Sequence, residues 1–305
     1  MTKVLQGKNM FNRNYKEKTI ESVLFSVSAL TVVILFLICL FLFRDSLLLF
    51  KDTSLLDFLT GKFWYPTSVN RQFGLLPLFF GSLIVTAGAI LFAVPLGIAS
   101  AIYISEIAPP KVADALKPFI EILAGIPSVV FGFFGLVILV PVVKDLFNLP
   151  TGQTALTGSI MLGIMALPTI ITISEDAISS VPSALKQGSL ALGATRWQTI
   201  YKVIVPAALS GISAAVMLGI GRAIGETMTL MMVTGNTAVI PSFPEGILGP
   251  VRTMTATIAL EMGEVPQGSA HFHALFAVGT VLFIITFLIN LIADSIKKRY
   301  RFKVD

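Results

Sequence analysis

Arg222 and Glu226 are the residues whose type and setting most clearly invite chemistry. They lie in GIGRAIGETMTL (219–230), and no other charged residue falls between Lys202 and Glu245. An arginine at the centre of a membrane helix costs about 2.5–3.5 kcal/mol on insertion scales, so it is expected to face a bundle interior and not lipid. At i, i+4 spacing the two side chains share one helical face and can meet. Two readings follow: a neutralised pair that fixes helix packing, or part of a transport pathway, the default meaning of intramembrane ions. Arginine suits an anion, because its planar fork matches phosphate oxygens, stays charged and is less strongly hydrated than lysine. Gly219, Gly221 and Gly225 thin the surface around it, so a partner helix or a substrate can approach the backbone. One arginine held by a carboxylate makes a weak, transient site. That suits a conduit, where tight binding stalls release.

The elements that must position this pair are membrane spans. The chain has 305 residues, of which 55% are hydrophobic and 13% charged, with a mean hydropathy of +0.86. Soluble domains carry about 25% charged residues. A hydrocarbon layer about 30 Å thick needs roughly 20 apolar helical residues to cross it. Six segments qualify: 22–43, 76–104, 119–143, 155–174, 208–234 and 272–293. The expectation is an all-α membrane protein of six transmembrane helices. The second run exceeds a span, which implies tilt or a kink at Pro95. The fifth, centred on 211–233, puts Arg222 near the bilayer middle and makes 203–206 a cytoplasmic elbow. Frequent Gly and Pro in the spans fit either a tightly packed bundle or one whose halves move.

Lys and Arg set the orientation. Lys3, Lys8, Arg13, Lys16 and Lys18 lie in the first tail, and Lys297, Lys298, Arg299, Arg301 and Lys303 in the last. Lys111, Lys117, Lys186, Arg196 and Lys202 lie in the loops on the same side, which predicts cytoplasmic N and C termini. The net charge of +5 is then tail charge beside an anionic leaflet, and nucleic acid is not an expected partner. The first apolar run is longer than a signal h-region and lacks a small-x-small cleavage site, so it is expected to persist as a helix. The lone Cys39 excludes a disulfide framework or thiolate metal site. Phe63, Trp64 and Tyr65 in the first outside loop read as an interfacial belt, and His271 and His273 as interfacial residues. The 236–270 loop contains a candidate short helix around TMTATIALEM, and either contacts a soluble partner or only joins two spans. No cofactor, metal or catalytic residue is expected. The chain has no G-x4-G-K-[ST] phosphate loop, so it does not itself hydrolyse ATP.

Residues 175–206 form the largest loop on the cytoplasmic side. Pro182 can open a short helix, Gly193 breaks it, and TRWQTIYKVIVP begins another. The pattern fits an interfacial helix anchored by Trp197 and Tyr201, or a protruding helix that docks another protein. Here the sequence resembles the membrane-spanning permeases of bacterial ABC importers, whose cytoplasmic loop follows E-A-A-x3-G-x9-I-x-L-P. At those positions stand Gln187, Gly188 and Ser189, then Gly193, then Val203, Val205 and Pro206. The Gly and Pro keep the family spacing, while the Glu and both Ala are replaced.

IEILAGIPSVVFGFFGL (120–136), MLGIGRAIGETMTLMMVTGN (217–236) and VGTVLFIITFLI (278–289) narrow the resemblance to PstC-type permeases of high-affinity phosphate importers. It implies a type-1 (MetI-like) permease fold with its core at 76–293, preceded by tail, first helix and outer loop at 1–75 and followed by a basic tail at 294–305. It further implies a coupling loop in which Lys186, Gln187, Gly188, Ser189, Gly193, Arg196, Trp197 and Pro206 face an ATPase subunit. The implied partners are a second permease of the PstA type, a PstB-type ATPase dimer and a PstS-type extracytoplasmic phosphate-binding protein. Phosphate would pass Arg222, Glu226, Gly221 and Gly225 in a bacterial cytoplasmic membrane. The rival readings are another oxyanion, sulfate or molybdate, or an ATPase-independent secondary transporter or channel.

Overall fold

Within lipid, a backbone must satisfy its own polar groups, and apolar runs of spanning length therefore fold as helices. The computed structural model describes the backbone of residues 2–242 and 245–299, and the side chains of 17–242 and 246–295. The side chains of Lys3, Lys8, Arg13, Lys16, Lys297, Lys298 and Arg299, the whole of Arg301 and Lys303, and thus most of the two basic tails, lie outside the described residues. Six helices among those described are long and apolar enough to cross a membrane.

Helix α1 (Thr2–Leu49) contains the first span, Glu17–Leu49. A short α2 (Leu55–Thr60) and a hairpin of β1 (Trp64–Tyr65) and β2 (Gln72–Phe73) follow, with Trp64 opposite Phe73. The second span is α3 (Leu76–Ile102), extended by a π-helical turn at Tyr103–Ile107. Pro95 lies inside α3 without ending it.

The third span departs from expectation. Helix α4 (Pro110–Gly125) is separate, with no buried residue, and the span itself is Ser128–Phe147. It comprises α5 (Ser128–Phe134), a π-helical turn at Gly135–Leu139 and α6 (Val140–Phe147). The reason is Pro127: Ile126 before it takes an extended conformation at φ −68, ψ 127, the region a following proline favours. The expected continuous 119–143 helix is thereby cut.

The fourth span, α7 (Ala155–Ser179), is the bundle axis; 61% of its apolar window is buried, against 28% or less for the others. Helices α8 (Ser183–Ala191) and α9 (Arg196–Thr199) follow, then a π-helical turn at Ile200–Ile204 and α10 (Val205–Gly225). Together Arg196–Gly225 form the fifth span. Helices α11 (Met228–Val233) and α12 (Met254–Glu261) and the last span in α13 (Ala270–Arg299) complete the chain.

Glycine sets the spacing around α7. A Cβ on Gly97 of α3 would lie 2.6 Å from Ile170 Cγ2, and one on Gly219 of α10 only 2.7 Å from Ile170 Cγ1. Both helices thus approach the same α7 side chain too closely for any larger residue, the small-residue contact expected in lipid. On the flank, α1 meets α13 through edge-on pairs, Phe41 with Phe276 and Phe43 with Phe283, at 5.5 and 6.1 Å between centroids.

The expected outer belt is only partly present. Phe63 and Tyr65 are exposed, but Trp64 is buried, with its indole N–H donating to the Glu261 carboxylate at 3.1 and 3.3 Å. A buried indole needs an acceptor, and Glu261 of α12 supplies it. The same carboxylate takes Arg252 Nη1 at 2.5 Å and lies 2.7 Å from His271 Nε2. His273 Nδ1 stands 3.7 Å from Asp45 Oδ1, with both side chains 13% exposed. Both histidines, in the first turn of the last span, thus have carboxylate neighbours within the protein.

Candidate functional site

Arg222 stands in the last turn of α10, and the helix ends three residues later. Glu226 takes an extended conformation at φ −69, ψ 132, and Thr227 leads into α11. The i, i+4 geometry that would join Arg222 to Glu226 is interrupted before the second residue, and no ion pair links them among the described residues. The expected pair is not formed. The Glu226 carboxylate instead accepts the Thr229 backbone N–H at 3.2 Å at the start of α11. Its own carbonyl oxygen accepts the Thr255 hydroxyl at 2.8 Å.

This break meets another. The Thr229 hydroxyl donates to the Ser128 carbonyl at 2.8 Å, so the interruption after α10 is fastened to the interruption between α4 and α5. Discontinuous helices whose loose ends gather inside a bundle are a recurrent way to build transport sites in membranes.

The guanidinium of Arg222 donates from Nη1 to the Thr169 hydroxyl of α7 at 3.3 Å, and the side chain is otherwise exposed. Among the described residues this is its one protein hydrogen bond, and an arginine carries five donors. The fork is therefore open to a ligand. The last carbonyls of α10 give the charge a favourable helix end without occupying that fork. At about 1.5 Å of rise per residue, Thr169 lies about 21 Å from Ala155 and about 15 Å from Ser179, the two ends of its helix. Arg222 thus sits at mid-span depth although its helix ends there.

Gly221 and Gly225 share the exposed side of Arg222, and a Cβ on either would meet nothing within 4 Å. They line an open face of this chain. Gly219 differs, being packed on Ile170. Thr169 escaped notice in the sequence because a lone threonine after Pro168 carries no pattern.

The cytoplasmic loop folds as its punctuation requires. Pro182 precedes α8; Gly193, at φ +84, turns the chain; and Thr195 caps α9 with a reciprocal box to Gln198. Gln187, Gly188, Gly193, Trp197 and Pro206 are exposed, Leu192 is 91% exposed and Trp197 61%, while Ser189 is half-buried with its hydroxyl 3.0 Å from that of Thr199. Arg196 is exposed and Lys186 half-buried, and both also reach Glu106. Lys186 Nζ lies 2.5 Å from Glu106 Oε2, and Arg196 Nη2 donates to the Glu106 carbonyl. The cause is Glu106, whose side chain is only 8% exposed; a buried carboxylate demands a counter-charge. Sequence reasoning passed over Glu106 because a carboxylate at a span end usually reads as solvated.

Residues 93–304 match the family model described as binding-protein-dependent transport system inner membrane component. Over 244 residues the chain is 47% identical to a protein of Bacillus subtilis named probable ABC transporter permease protein YqgH, covering 80% of this chain and 78% of that one. It is 38% identical over 256 residues to the phosphate transport system permease protein PstC of Mesorhizobium japonicum, covering 78% and 76%. Among solved structures, a bacterial ABC transporter involved in importing the acidic polysaccharide alginate matches with a TM-score of 0.61 and 17% identity, over 94% of this chain and 99% of that one. The last likeness is one of fold: that of a type-1 ABC importer permease.

Proposed function

Since this chain belongs to the binding-protein-dependent transport system inner membrane component family, we propose that it is the permease subunit that passes inorganic phosphate through an ATP-driven importer. It is a multi-pass protein of the inner membrane. The observation that carries the reading is Arg222, a mid-span cation with one protein hydrogen bond and an open, glycine-lined face. Such a group can receive an oxyanion by two parallel N–H···O bonds. Relatives named as phosphate permeases direct the choice among oxyanions to phosphate.

The open face of α10 is completed by a second permease of the PstA type, so the pathway runs between two chains. Phosphate enters from a PstS-type extracytoplasmic binding protein, which supplies the affinity that a single arginine lacks. ATP is hydrolysed by a PstB-type subunit dimer seated on the 183–199 segment, with Leu192 and Trp197 as its apolar contacts. Both termini lie in the cytoplasm, as the Lys and Arg of the loops require. Glu226 shapes the site by holding the start of α11, and Gly221 and Gly225 keep the path clear beside Arg222.

The test is reconstitution of the complete importer in proteoliposomes. Phosphate-loaded binding protein is expected to stimulate ATP hydrolysis together with phosphate uptake. Stimulation by sulfate or molybdate alone would reassign the substrate. Uptake by this chain without any ATPase subunit would make it a secondary transporter.

A further inference from the structure

Glu106 lies at the cytoplasmic end of the second span, in the π-helical turn Tyr103–Ile107. It is held twice, once from α8, between the fourth and fifth spans, and once from α9, the first turn of the fifth span. Lys186 of α8 pairs with its carboxylate at 2.5 Å, and Arg196 of α9 donates to its carbonyl oxygen. The neighbouring Ser105 hydroxyl is 3.3 Å from that of Ser179, the last residue of α7. Ser179 in turn donates to Glu175 at 2.7 Å, and Glu175 pairs with Lys117 of α4 at 3.2 Å. Two buried carboxylates, Glu106 and Glu175, thus tie the ends of α3, α4 and α7 to α8 and α9.

We propose that Glu106 is a positioning residue that fastens the α8–α9 segment to the second span, so that displacement of this segment moves the cytoplasmic ends of α3 and α7 as one body. The proposal rests on the permease reading above, which gives α8–α9 an ATPase to follow. Exposed contacts alone could seat a partner there, but they would not transmit its movement. A loosely attached segment would bend at Pro182 and Gly193, where the chain has its turns. The Glu106 ties span that hinge. Charge-assisted hydrogen bonds resist such bending about twice as strongly as neutral ones. Burial makes the arrangement specific, since a buried carboxylate that leaves its partners loses the compensation for its charge.

Glu106→Gln keeps the shape and the Arg196 contact to the carbonyl but removes the charge, and leaves the partly exposed Lys186 free to solvate. In the reconstituted importer, this variant is expected to retain its ATPase subunits while phosphate moved per ATP falls about tenfold. Glu106→Asp is expected to recover part of that loss. Unchanged phosphate per ATP in Glu106→Gln overturns the proposal. So does release of the ATPase subunits, which would make Glu106 a support for the docking surface alone.

A second measurement avoids Glu106 altogether. In a Cys39→Ser background, Ser105→Cys with Ser179→Cys is expected to form a disulfide and keep transport. Transport lost on oxidation and regained on reduction would mean that the two ends separate in each cycle, which refutes a single body. Failure to cross-link would refute their adjacency. Failure of the permease reading is distinct: the unmodified complex would then show no phosphate-stimulated ATP hydrolysis.

Discussion

Replacing Arg222 by glutamine separates a transport role from a structural one because the two have very different magnitudes. On the structural side, the guanidinium makes one protein hydrogen bond, to Thr169 at 3.3 Å, from an exposed side chain. Losing such a bond costs about 0.5–1.5 kcal/mol at most, so the assembled complex should melt within a few degrees of the parent. On the transport side, a bidentate oxyanion contact comprises two charge-assisted bonds of about 1.5–3 kcal/mol each. Their combined loss, about 3–6 kcal/mol, corresponds to roughly 10²- to 10⁴-fold at about 1.36 kcal/mol per decade of rate. Initial rates of radiolabelled phosphate uptake into proteoliposomes read the second quantity, and a melting curve of the same complex reads the first. Arg222→Lys keeps the charge but not the fork, and uptake is expected between that of the parent and that of Arg222→Gln. Uptake by Arg222→Gln at the parental rate would refute the pore arginine. A large fall in melting temperature that accounts for the lost uptake would return Arg222 to a packing role.

Trp197→Ala removes a side chain that is 61% exposed; the melting temperature should hold, while ATPase-subunit affinity, measured by titration, falls about 30-fold, as for an aromatic hot spot. Gly193→Val forces a β-branched residue into φ +84, at a cost of about 1–2 kcal/mol in the α8–α9 turn. ATPase subunits should co-purify in reduced ratio, and an undiminished ratio would make the loop a mere anchor. Glu261→Ala leaves Arg252 with the Asn236 carbonyl but without its counter-charge, the Trp64 N–H without its acceptor, and His271 without its carboxylate neighbour. A loss of about 3 kcal/mol in unfolding free energy is expected, and an unchanged denaturation midpoint would show that this hub contributes nothing.

The six spans were legible because long apolar runs admit little else in lipid, and the cytoplasmic loop because Pro182 and Gly193 are local signals. What hydropathy missed were the interruptions. The apolar run through 119–143 conceals a break because Ile126 and Pro127 are as apolar as their neighbours, and only the backbone chemistry of proline distinguishes them. The break after Gly225 has no proline at all. It is held by the Thr255 hydroxyl on the Glu226 carbonyl and by Thr229 on the Ser128 carbonyl, contacts made by residues distant in sequence. The burial of Trp64 was missed for a related reason. Its partner, Glu261, which also meets His271, lies in another element, and nothing near Trp64 announces it.

The interruption changes the electrostatics of the site more than its shape. An Arg222–Glu226 pair on a continuous helix would be neutral overall and would spend guanidinium donors on a carboxylate. An incoming oxyanion would then have to displace that carboxylate or share donors with it. Ending α10 at Gly225 commits the Glu226 carboxylate to Thr229 and leaves Arg222 beside the carbonyl end of its own helix. That end carries roughly half a negative charge. It offsets part of the cost of a mid-span cation while leaving the planar fork unoccupied. A fixed partial charge also cannot follow the substrate as it leaves, whereas a mobile carboxylate could compete for the arginine at every step. In the proposed pathway the break would reconcile two demands on one residue: a cation kept inside a membrane, and donors still available to an anion passing by.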